Sequence, residues 1–147
     1  MKESMKRIEE MMRLSISEVF EKMFFLFLEP PEDGDIAYDM EATIRFEGSM
    51  SGKVRILLAR DMAKTMVQNM LGLEGDEAVA QRMEDCSKEA ANMVCGDFLG
   101  KFDRTRVFNL SAPTFRGRIG DIEPVGDACR MDFDSDGQKV GVIVQID

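Results

Sequence analysis

The chain contains no histidine. That excludes Ser-His-Asp and Cys-His nucleophilic chemistry and any metal site built on imidazole. Cysteine is scarce and odd in number: Cys86, Cys95 and Cys129. Cys86 and Cys95 lie within one helical pattern at a separation that is not a metal-ligand spacing. All three read as reduced thiols, so the expected compartment is cytoplasmic. Basic charge is short as well, with 19 Lys and Arg against 28 Asp and Glu and a formal net charge of -9. Nucleic-acid binding depends on Lys and Arg releasing phosphate counterions, so no nucleic acid and no anionic membrane surface is expected as a partner. Long apolar runs are missing too. The longest, Met23 to Leu28, covers six residues, too short for a signal-peptide core or a membrane span.

What is present is enough apolar material for a core, 44% of 147 residues, and the length suits one domain over 1–147. Ser4 to Leu28 has helical periodicity, stopped by Pro30 and Pro31. Ile36 to Phe46 alternates, with Ile36, Tyr38, Met40, Ala42, Ile44 and Phe46 on one face. Glu47 to Gly52 has turn chemistry, and Lys53 to Ala59 reads as the returning strand. Asp61 to Leu71 is a short helix closed by Gly72, and Asp76 to Phe102 a long one. Val107 to Arg116 is extended around Pro113, and Gly117, Gly120, Pro124 and Gly126 make a loop. Asp127 to Phe133 and Lys139 to Ile146 form a hairpin around Asp136-Gly137. The expected class is α+β, long helices on an antiparallel sheet, with pseudo-duplicated helix-strand halves.

The long helix carries a polar stripe. At about 100° per residue, Asp85, Glu89, Asn92 and Gly96 fall within about 60° of each other. Val79, Met83, Cys86, Ala90, Val94 and Phe98 occupy the opposite arc. The apolar arc should face the core and the stripe should face out, with Leu99 an exposed apolar neighbour. A mid-helix glycine costs about 1 kcal/mol relative to alanine, and close approach by a partner is one reason to keep Gly96. As residue types alone, Asp85, Glu89 and Asn92 serve equally well as solvated helix positions. Likewise, the 13 methionines suit either a packed core or an adaptable surface. Arg104, Arg106, Arg116 and Arg118 suit either acid neutralisation or contact with an acidic partner.

The spacing Asp85-x-x-x-Glu89-x-x-Asn92 resembles the signature of the CheC, CheX and FliY phosphatases. Ser17 to Met23 resembles the first-helix segment of CheX-like proteins, and Asn109 to Thr114 the extended strand that follows the signature helix. The first helix echoes the pattern with Ser17 and Glu21 but has Phe24 where Asn92 stands. CheC and FliY resemble two-site proteins, so Phe24 points to the one-site CheX branch, whether it is a lost site or simply core.

The resemblance implies one CheX-like phosphatase domain acting on the aspartyl phosphate of a CheY-like receiver domain. Asn92 would orient the attacking water, and Glu89 would pair with the receiver's active-site lysine. Asp85, Gly96 and Leu99 would contact the partner. No cofactor or metal would belong to the chain itself, Mg²⁺ coming with the phosphorylated receiver, and a homodimer through the sheet is expected. The alternative is a non-catalytic adaptor that binds a receiver or a flagellar-switch component, which an intact Glu89 and Asn92 disfavour.

Overall fold

The computed structural model describes residues 2–32, 34, 36–122 and 126–147, of which the side chains at 2 and 3 are left undescribed. The described residues form three helices and a six-stranded antiparallel sheet. Helix α1 runs Lys2–Phe24 and buries Ile8, Met12, Ile16, Val19, Phe20 and Phe24, the three- and four-residue spacing of a single apolar stripe. It ends earlier than the predicted Leu28. Phe25 takes a left-handed conformation, φ 56°, that turns the chain. The Leu26 N–H then donates to the Phe20 carbonyl at 3.1 Å, and Leu26 returns to the core.

Strands β1 (Met40–Glu47) and β2 (Gly52–Leu58) form the first hairpin. Helix α2 (Arg60–Leu71) follows and ends at Gly72. Its first turn has no capping side chain at Ala59; the carboxylate of Asp39 accepts from the Arg60 N–H at 2.7 Å instead. Helix α3 spans Asp76–Phe102, as its periodicity predicts, with Asp76 and Glu77 complementing the dipole of its first turn. The predicted strand around Pro113 is split into β3 (Asn109–Leu110) and β4 (Thr114–Arg116), both on β1. Ser111 bridges the gap, its Oγ accepting from the Arg45 N–H at 3.0 Å while its own N–H donates to the Arg45 carbonyl at 2.9 Å. Strands β5 (Asp127–Ser135) and β6 (Gln138–Ile146) form the last hairpin. Its turn residues Asp136 and Gly137 both have positive φ, 50° and 85°, as a two-residue hairpin loop with matching twist requires. Pro124, part of the predicted loop, lies outside the described residues.

The sheet order is β3-β1-β2-β6-β5. The two hairpins join through β2 and β6, with Val54 opposite Val144. The halves are duplicated and exchanged. α1 packs on the β5–β6 hairpin of the second half, and α3 on the β1–β2 hairpin of the first. After α1, Glu29 pairs with Asp134 of β5; after α3, β3 and β4 pair with β1. Each helix and the segment behind it thus serve the opposite hairpin.

Met40, Ala42, Ile44 and Phe46 point into the main core beneath the helices, together with Met12, Met62, Met66, Met83 and Met131. The methionines are mainly core filler. Ile36 and Tyr38 do not share that face, contrary to the alternation read from the sequence. The chain bends at Asp39, whose carboxylate serves α2, and the period-two register begins only at Met40. Tyr38 packs instead on the outer face with Leu57 and Ile143. Its hydroxyl donates to Asp132 at 2.6 Å. Its ring lies across Gly141, where a Cβ would come within 2.9 Å of the ring carbon that bears the hydroxyl. No helix among the described residues is long and apolar enough to cross a membrane.

Candidate functional site

The rotation of α3 is set by its apolar arc. Val79, Met83, Cys86, Ala90, Val94 and Phe98 are all buried, with Phe98 edge-on to Phe46 of β1 at 6.5 Å. That rotation turns the opposite stripe outward. Asp85, Asn92 and Gly96 are exposed and Glu89 is half-buried. Among the described residues, neither Glu89 nor Asn92 makes a side-chain hydrogen bond or an ion pair. The neighbouring Lys88 is engaged by Glu84 at 3.0 Å one turn back. Glu89 is therefore a half-buried acidic residue with no cationic partner among the described residues, so a cation presented from outside can pair with it. A Cβ built on Gly96 would meet nothing within 4 Å, so the glycine leaves a flat step beside Asn92.

Leu99 departs from the expectation. It is 4% exposed, not an open apolar neighbour of the stripe. The chain leaving α3 folds back along the end of the helix. Leu99 sits in the floor of a groove of about 360 Å³ that Arg104, Arg106, Phe108 and Leu110 also line. The four-arginine cluster is divided accordingly: Arg104 and Arg106 border this groove, while Arg116 stands in β4 opposite Glu41 of β1.

A second groove, about 320 Å³, lies between α1 and α3. Asn92, Met93, Gly96 and Asp97 line one wall, and Glu18, Val19, Lys22 and Met23 the other. Gly96 borders both grooves. Lys101 ties the two helices together, its Nζ 2.8 Å from Glu18 and 2.8 Å from Asp97. Glu18 and Lys22 are not part of the Ser17–Glu21 echo, which sits one residue away on the same helix. Glu18 and Lys22, four apart, were the available signal. In that echo Glu21 is exposed, but Phe24 is fully buried against Phe20, ring centroids 5.1 Å apart.

The cysteines are unpaired, Cys86 and Cys95 buried. Burial, reinforced by the nearby Glu89 carboxylate, pushes the Cys86 thiol up to about 11; burial alone pushes Cys95 up to about 12. Neither is a nucleophile at neutral pH. No three His, Cys, Asp or Glu side chains converge to hold a metal ion among the described residues.

This arrangement defines an α+β sheet protein with a neutral carboxamide and an unpaired carboxylate on an exposed helix ridge. Residues 40–124, more than half of the chain and including all of the ridge, match the family model described as chemotaxis phosphatase CheX. The chain belongs to the CheX chemotaxis phosphatase family. Solved structures share its fold. A CheX from Desulfovibrio desulfuricans aligns at 18% identity and TM-score 0.79, over 96% of this chain and 99% of that one. A CheX from Vibrio vulnificus aligns at 24% identity and TM-score 0.75, over 95% and 96%. A chain of the CheX–CheY–BeF3–Mg²⁺ complex from Borrelia burgdorferi aligns at 19% identity and TM-score 0.76, over 93% and 96%. No curated protein matches the sequence.

Proposed function

We propose that the chain hydrolyses the aspartyl phosphate of a CheY-like receiver domain. The observation that carries the reading is the pairing, one turn apart on one ridge, of an exposed Asn92 with a half-buried Glu89 that has no ion-pair partner among the described residues. Family membership and the CheX–CheY complex from Borrelia burgdorferi support the choice of substrate.

Hydrolysis of an acyl phosphate needs a water held in line with phosphorus. Asn92 suits that task because a carboxamide can accept from and donate to the water while staying neutral. A carboxylate in its place would be repelled by the phosphoryl oxygens. Glu89 points its charge at the receiver's lysine instead, fixing the register in which Asn92 meets the phosphorus. Asp85 borders the docking surface, and the flat step at Gly96 admits the receiver's backbone close to α3. Leu99, buried in the floor of the neighbouring groove, supports the end of α3. Mg²⁺ arrives with the receiver. Such a partner puts the protein in the cytoplasm. The outer edge of β5, which among the described strands has only the Glu29 bridge, is available for a sheet-to-sheet homodimer.

The test is to add the purified chain to phosphorylated receivers from the same cell and follow phosphate loss. Accelerated loss from at least one receiver supports the phosphatase. Tight binding with unchanged phosphate lifetimes would replace it with the adaptor.

A further inference from the structure

The wall of the Asn92 groove contributed by α1 carries charge that the mechanism above does not use. Glu18 and Asp97 both line this groove, and both carboxylates share the single ammonium of Lys101. Two negative charges against one positive would make the groove repel a phosphoryl dianion. Lys22 lies in the same wall, is exposed, and makes no ion pair among the described residues. Its position in the last turn of α1 complements the helix dipole, but that leaves the ammonium itself unengaged. A lysine is a compact point charge on a flexible four-carbon stem, suited to follow a phosphoryl group presented above Asn92.

We propose that Lys22 is a phosphoryl-binding residue: its ammonium contacts the phosphoryl oxygens of the docked aspartyl phosphate from the α1 side, opposite Asn92. This rests on the phosphatase reading and adds a second helix to the site. It gives the groove selectivity for the phosphorylated over the unphosphorylated receiver, which Glu89, directed at a lysine present in both states, does not supply. The echo of the motif on α1 has Phe24 where Asn92 stands in α3, yet the helix still serves the working site.

The experiment uses the full chain and the receiver it dephosphorylates fastest. Affinity is measured for that receiver charged with beryllofluoride and Mg²⁺, and again with Mg²⁺ alone. Losing one charge-assisted contact should weaken binding of Lys22→Ala to the charged receiver by about 10- to 100-fold. Binding to the Mg²⁺-only receiver should change by less than about threefold, and Lys22→Arg should restore most of the loss. Circular dichroism confirms that each variant folds, as expected for an exposed helix position. Equal losses in both receiver states, or none in either, would overturn the proposal while leaving the phosphatase intact. Failure of the wild-type chain to remove phosphate from any receiver would overturn both.

Discussion

Phe24 and Asn92 hold the same place in the repeated helix pattern, and the fold buries the first and exposes the second. Phe24 closes the core against Phe20, whereas Asn92 opens onto the groove between α1 and α3. The half that packs its third motif position inward presents no carboxamide there.

Phe24→Asn therefore should not restore a second site. It removes a fully buried ring and leaves an amide in its place, at a cost of about 3–5 kcal/mol for the lost packing and more for the buried amide. Urea unfolding should show the loss. A gain in turnover per folded molecule would contradict the one-site reading.

Glu89 and Glu21 should separate in the same assay. Glu89→Ala removes one member of the proposed charge pair with the receiver lysine, and truncating such a pair typically costs about 2–5 kcal/mol, or roughly 30- to several-thousand-fold in affinity. Glu21→Ala should leave turnover within about twofold of wild type, since Glu21 sits beside Phe24, where no water is oriented. Dephosphorylation rate against protein concentration reads both. Equal losses would mean two working sites or a docking surface spanning both helices.

Much of this was legible in the sequence, and the gaps have physical causes. The bounds of α3 and its core arc followed from 27 residues of one periodicity, and the Asp136-Gly137 turn from its chemistry. Leu99 was misplaced because helical spacing cannot foresee a following segment folding back over the helix end. Tyr38 departs from the face its spacing predicts because the alternation is broken at Asp39, by a hydrogen bond to a helix 21 residues on. Lys22 leaves only a four-residue spacing with Glu18 in the sequence, because its place in the groove depends on how α1 packs against α3. The exchanged pairing of Glu29 with Asp134 is long-range and leaves no local trace.

On the outer sheet face Arg55 and Glu41 form a nearly buried ion pair at 2.6 Å, which Thr43 completes by donating to Glu41 at 2.9 Å. Arg55→Ala leaves a buried carboxylate without its cation and should cost about 3 kcal/mol or more. Activity per folded molecule should be unchanged, because the pair lies across the sheet from α3. Denaturant unfolding and phosphate release, measured together, check both halves of the expectation.

The raised thiols of Cys86 and Cys95 carry a pH dependence. Their neutral forms are favoured in the fold, so this contribution is intact below about 9 and is lost as pH climbs toward 11 and 12. Iodoacetamide should label both slowly at neutral pH. Glu89→Gln removes a negative charge near Cys86, lowers that thiol's pKa and should speed its labelling specifically. A Cys86 rate unmoved by Glu89→Gln would place the carboxylate elsewhere.

The central claim is that Asn92 positions the attacking water, and single-turnover loss of phosphate from a cognate receiver tests it most directly. Asn92→Ala, at an exposed position, should keep the wild-type melting curve and bind the beryllofluoride-charged receiver within about threefold of wild type, yet slow dephosphorylation by about 10²-fold or more. A folded Asn92→Ala chain that removes phosphate at close to the wild-type rate would contradict the account.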